Sequence, residues 1–222
     1  MSDCIELQKA FEIIDSYYRH DVICELSPEQ IDNYKKKLER FDNANTCSNC
    51  STKEKGDALE DISKYLLEIS GRLFEIVRNL HTNTNEIDLL MNLSYERKFL
   101  IENNFINKRF NEFIAECKNY DKKISVTYVG KLIGLMETNS INFAILFSYH
   151  GVSGKGWSSS SGLIKKYYLS RGAAEERPCI IDFNYTDFCS ILDGSNFFEI
   201  TERKINALKY DTDYRNFLNS ST

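Results

Sequence analysis

Apolar residues recur along this chain in two rhythms. In DCIELQKAFEIIDSYYR (3–19), Leu7, Ala10, Phe11 and Ile14 fall three or four residues apart, which predicts an amphipathic helix. Ser27 and Pro28 supply a cap and a first-turn residue for a second helix over about 29–41. The stretch NANTCSNCSTKEKG (43–56) is polar and aperiodic and reads as a linker. After it, Leu59, Ile62, Leu66 and Ile69 form another helical stripe.

Strand patterns follow. LFEIVRNL (73–80) and EIDLLMNL (86–93) flank the turn HTNTN, with Ile87 and Leu89 expected on one face and Asp88 on the other. FIAECKN (113–119) predicts a third strand, while 94–112 is mixed, charged and without a clear period. SVTYVGKLIGLME (125–137) reads as a helix despite two glycines, and INFAILFSYH (141–150) as a strand buried on both faces. A glycine- and serine-rich loop (151–162), a helix over 162–171, a strand and helix start in PCIIDFNYTDFCSIL, and a last helix in TERKINALKYD complete the chain. This order predicts an α/β fold with a mixed central sheet flanked by helices. Its expected divisions are a helical extension (1–45), a linker (46–55), a core (56–172) and a C-terminal extension packed on the core (173–222).

Composition narrows the picture. At 222 residues the chain is long enough to bury one substantial core, and 13% aromatic content argues against disorder. The acidic start lacks the basic and apolar regions of a signal peptide, and no apolar run approaches the roughly 18 residues that span a bilayer. Seven cysteines without an export signal fit reduced thiols, hence a cytoplasmic protein with no membrane partner. Net charge is −5, which does not favour nucleic acid, but residues 61–172 hold 15 Lys/Arg against 11 Asp/Glu between two acidic ends.

The candidate chemistry lies in that basic centre. On a strand Glu116 and Lys118 share a face, and Cys117 points away. Asp88 on the preceding strand and Glu60 on the preceding helix would let three carboxylates and one lysine converge. Carboxylate-lined sites suit Mg²⁺ or Mn²⁺, and a lysine beside them can orient an attacking water.

The succession KGDALE, LFEIVRN, TNTNEIDLL and FIAECKN resembles the PD-(D/E)xK nuclease superfamily, in its Mrr-like restriction endonuclease branch. The resemblance covers residues 55 to about 170 and implies a restriction-endonuclease-like core. It also implies Asp88 and Glu116 as metal ligands, the backbone carbonyl of Cys117 as a third, Lys118 as the residue that positions the water, and Glu60 beside the metal. It departs from the family name at Ile87, which stands where the motif has proline. The function so implied is metal-dependent hydrolysis of nucleic acid, DNA rather than RNA, in a prokaryotic defence or restriction system. The alternative is a catalytically idle nuclease-like fold that serves as an interaction subunit. In either case a partner protein or self-association would engage the N-terminal helices.

Several features admit a plainer account. Asp57 and Glu60 have capping-box spacing. Cys47 and Cys50 have zinc-knuckle spacing, but no second pair follows, which favours metal-free cysteines. GVSGKGWSSSSG (151–162) fails the phosphate-loop pattern because Gly156 follows Lys155, leaving either a milder phosphate-receiving role or a surface loop. Trp157 is a candidate base-stacking residue or a loop anchor, and His150 a structural histidine.

Overall fold

The computed structural model describes Lys9 and residues 24–81, 86–154, 158–170, 172 and 177–212. The helix expected over 3–19 lies outside these residues except for Lys9, which is helical, and Lys155 and Trp157 also lie outside them. A five-stranded sheet in the order β1-β2-β3-β4-β5 forms the centre. Its strands are β1 (Phe74–His81), β2 (Glu86–Leu93), β3 (Glu112–Cys117), β4 (Phe143–Phe147) and β5 (Cys179–Phe183). The first three run antiparallel and the last three parallel, so the sheet is mixed, as expected. Seven helices among the described residues flank it: α1 (Pro28–Thr46), α2 (Thr52–Ile69), α3 (Phe99–Glu102), α4 (Val126–Thr138), α5 (Ser160–Leu169), α6 (Tyr185–Leu192) and α7 (Phe197–Lys209). The unassigned stretch 94–112 holds α3 between two 3₁₀ turns.

The alternation of β4 shows why both sheet faces are covered. Phe143, Ile145 and Phe147 enter one apolar cluster with α1, α2, α6 and α7, while Ala144 and Leu146 enter a second with α4 and α5. A strand buried on both sides has no need of polar positions, so FAILF is continuously apolar. The first cluster is rich in phenylalanine. Phe110 lies edge-on to Phe113, Phe143 and Phe198 at centroid distances of 6.0, 5.4 and 4.8 Å. α1 belongs to the same core: Phe41 packs against Phe188, and the Tyr34 hydroxyl donates to the Phe188 carbonyl at 2.9 Å.

Three expectations need correction. The supposed linker 43–56 is mostly helical, because α1 runs to Thr46 and α2 begins at Thr52, leaving only a short turn at Cys47–Ser51. The capping box that starts α2 is Ser51 with Glu54, which exchange bonds of 3.2 and 2.7 Å, so Asp57 lies inside the helix and does not cap it. Polarity misled here because exposed first turns and caps are polar for the same reasons as loops. Ile87 and Leu89 also fail to share a face, since Ile87 joins the α4 cluster and Leu89 the other. The ladder between β1 and β2 skips the pair Asn79–Asp88, and Asn79 sits at φ +46°. A left-handed residue inside a strand breaks the two-residue alternation, and the change of face occurs at Asp88.

Candidate active site

β2 and β3 bring the predicted residues together at one end of the sheet. Leu89 pairs with Ala115 and Leu90 with Ile114, and continuing this register sets Asp88 opposite Glu116. β3, however, ends by pairing with β4 alone: Lys118 N–H donates to the Phe147 carbonyl at 2.9 Å. On the other side the Cys117 N–H finds no strand and donates instead to Asp88 Oδ2 at 2.9 Å. The splaying of β2 from β3 therefore makes room for a carboxylate, and the Cys117 peptide fixes it there. Because N–H and C=O of one strand residue point to the same side, the Cys117 carbonyl is directed toward Asp88 as well.

Lys118 closes the cluster. Its Nζ lies 2.6 Å from Glu116 Oε1 and 3.2 Å from Asp88 Oδ2. The three side chains are 26%, 16% and 18% exposed for Lys118, Glu116 and Asp88, so they are shielded yet reachable. Burial alone would lower the pKa of the Lys118 ammonium, but Glu116 and then Asp88 outweigh it and hold it well above the usual lysine value. Burial raises the Glu116 carboxyl, Lys118 opposes the rise, and Asp88 adds to it. Glu116 Oε2 is buried without a hydrogen-bond partner, a costly state for a carboxylate oxygen.

Glu60, half-buried on α2, stands outside this contact set. Its carboxyl is raised, first by burial and then by the charge of Asp88, so it feels the cluster electrostatically. Among the described residues no group of three or more His, Cys, Asp or Glu side chains is arranged to hold a metal. The set actually assembled is two carboxylates and a backbone carbonyl directed toward them. That donor set fits Mg²⁺, which keeps several waters and takes one or two protein carboxylates together with substrate oxygens. The unpartnered Glu116 Oε2 is a hard oxygen donor of the required kind.

The other candidates are not brought to this cluster. Cys47 is exposed and Cys50 half-buried in the α1–α2 turn, whereas Cys24 is buried in the core. The serines after the glycine-rich loop bind their own framework: Ser160 Oγ donates to the Ile124 carbonyl at 2.7 Å and Ser161 Oγ to the Gly154 carbonyl at 2.6 Å. Gly154, at φ +74°, is required there, because a Cβ would come within 2.3 Å of the Ser159 Cβ. His150 is exposed beside Tyr149.

Sequence reasoning passed over Tyr128 and Lys131. Both line a small cavity with Glu116 and Lys118, and their three-residue spacing on the helix after Glu116-Cys117-Lys118 was the available signal. Comparison with family models, curated proteins and solved structures finds no match to this chain.

Proposed function

We propose that the protein is a metal-dependent phosphodiesterase acting on nucleic acid, DNA in preference to RNA, built on a restriction-endonuclease-like core. The observation that carries this reading is the contact of Lys118 with both Glu116 and Asp88 at the splayed end of β2 and β3. The order α2-β1-β2-α3-β3-α4-β4 supports it, since it sets an aspartate in the second strand and Glu-x-Lys at the end of the third, as the resemblance implies. Asp88, Glu116 and the Cys117 carbonyl would hold the ion, with Glu60 tuning its charge environment. A bound Mg²⁺ or Mn²⁺ supplies Lewis-acid polarisation of the phosphoryl oxygen and a more acidic water. Lys118 would orient the attacking water and, as a cation, offset the negative charge that builds on the phosphoryl oxygens. Asp88 contributes through a carboxylate pinned by the Cys117 N–H, so its position is fixed before substrate arrives.

The second reading is an idle fold of this kind that serves as an interaction subunit. Its support is the absence, among the described residues, of a three-side-chain metal cluster. Cleavage of plasmid DNA, of single-stranded DNA and of matched RNA with Mg²⁺ or Mn²⁺ separates the two. Metal-dependent cutting by the wild type that Lys118→Ala and Glu116→Ala abolish supports the enzyme. Equal cutting by all three proteins rejects the site, and Mg²⁺ titration without cutting by any of them favours the idle fold.

A further inference from the structure

The candidate active site continues into a cavity of about 210 Å³. Glu116 and Lys118 form one wall, the buried Leu132, Leu135 and Leu146 another, and the half-buried Tyr128 and exposed Lys131 complete it. The Tyr128 ring lies 5.0 Å from the Tyr120 ring at a 35° tilt, and Lys131 Nζ sits 5.4 Å from its centroid. The two tyrosines and the lysine thus form one aromatic, cationic ledge beside the carboxylates. Along the same helix, Gly130 and Gly134 are exposed, and a Cβ at either would meet nothing within 4 Å. Lys122 and Lys123 are exposed in the loop that leads into it.

These features match a single nucleotide in an ordered way. A phosphate belongs with Lys118, and an apolar slot with a tyrosine wall suits the faces of a base. Stacking on an aromatic ring is tolerant of base identity and is the common means of holding single strands. A base still paired inside a duplex has both faces covered and cannot enter such a slot without leaving the stack. The bare surface of α4 at Gly130 and Gly134 leaves room for a sugar-phosphate chain to pass beside Lys131.

We propose that the cavity holds one unpaired nucleobase next to the phosphate at Lys118, stacked on Tyr128, and that the substrate is single-stranded DNA. The proposal rests on the phosphodiesterase reading above for the placement of the phosphate. Tyr128 and Lys131 are binding residues in it and take no part in the bond cleavage.

The test is fluorescence anisotropy in metal-free buffer, with a short single-stranded DNA and the blunt duplex of the same sequence. Wild type, Tyr128→Ala, Tyr128→Phe and Lys131→Ala are compared, each first checked by its melting curve. The single strand binds wild type more tightly than the duplex. Tyr128→Ala weakens that binding about fivefold to a hundredfold, in line with loss of one stacked base, and Tyr128→Phe restores it. Lys131→Ala weakens it less and flattens its salt dependence. If Tyr128→Ala does not fold, Tyr128→Leu keeps an apolar filler without the ring and reads the same loss. Duplex binding as tight as single-strand binding overturns the proposal, as does an affinity that ignores Tyr128.

Cleavage of the same two substrates with Mg²⁺ or Mn²⁺ separates the two readings. Tyr128-dependent single-strand binding without cutting keeps the slot and rejects the phosphodiesterase. Cutting that neither prefers single strands nor depends on Tyr128 keeps the phosphodiesterase and rejects the slot.

Discussion

The molecule builds two lysine–carboxylate clusters at the same end of its sheet, two strands apart, and they are constructed differently. Beside β5, Lys204 Nζ donates to Asp187 Oδ2 and to the Asp182 carbonyl, each at 2.5 Å, with side chains 9% and 2% exposed for Lys204 and Asp187. The same Asp187 oxygen accepts from the Asn184 N–H at 2.7 Å and so completes the capping box of α6. Lys204 and Asp187 are buried and tied to backbone that holds β5, α6 and α7 together. Beside β3, by contrast, Lys118 bridges two carboxylates that remain partly open to solvent, and one oxygen of Glu116 goes without a partner. A buried pair that is hydrogen-bonded to backbone serves the fold, whereas Lys118 holds together two carboxylates from different strands that stay within reach of solvent.

The sharpest way to break this contrast is to delete each lysine. Lys204→Ala leaves Asp187 buried without its cation and is expected to cost about 3–5 kcal/mol, read as a collapse of the melting temperature. Lys118→Ala is expected to lower metal-dependent cleavage by about 10²–10³-fold while leaving most of the thermal stability in place. Should Lys118→Ala unfold the protein as readily as Lys204→Ala, both clusters are structural and the contrast fails.

Glu116 gives a sharper and smaller effect, with a defined sign. Its carboxyl is raised in the folded protein, chiefly by burial, so the folded state holds that proton more tightly than the unfolded chain. Stability attributed to Glu116 is therefore lost as pH rises from the ordinary glutamate range through its raised folded value, and stays lost above it. Glu116→Gln cannot ionise. Without metal it is expected to melt above wild type near neutral pH, with the gap closing on acidification, while cleavage disappears. A variant that melts below wild type at neutral pH would mean that the pair with Lys118 outweighs the burial cost.

The smallest expected effect concerns Asp182, whose carboxyl is likewise raised by burial and whose Oδ1 lacks a partner. Asp182→Asn preserves the shape and removes the charge. A modest rise in melting temperature at neutral pH, absent at low pH, is expected in thermal scans across pH. A loss of stability would show that the Asp182 charge is used by Lys204 at longer range.

Much of the fold was legible because period and burial agree. EIDLLMNL forms β2 with the expected bounds, and the unbroken apolar run in β4 signalled cover on both faces. Glu116 near the end of β3 and Lys118 just past it fall on one side, as the two-residue alternation predicts, and their side chains meet at 2.6 Å. At Ser51–Glu54 the sequence carried a capping box as complete as that at Ser27–Gln30, yet its lack of apolar residues concealed a helix start. The spacing of Tyr128 and Lys131 puts them on one helix face, but it does not say that the face looks onto Glu116 and Lys118.

Sequence alone thus determined the order of the main helices and strands and the residue types available for chemistry, since these depend on neighbours within a few residues. Tertiary structure decided which groups meet. The left-handed Asn79 opposite Asp88, the splaying of β2 from β3, and the Cys117 N–H that turns to a carboxylate for want of a strand are all products of how the sheet closes. Local propensity cannot encode them, because a strand's unpaired edge and a carboxylate's position across it exist only once separate segments have packed.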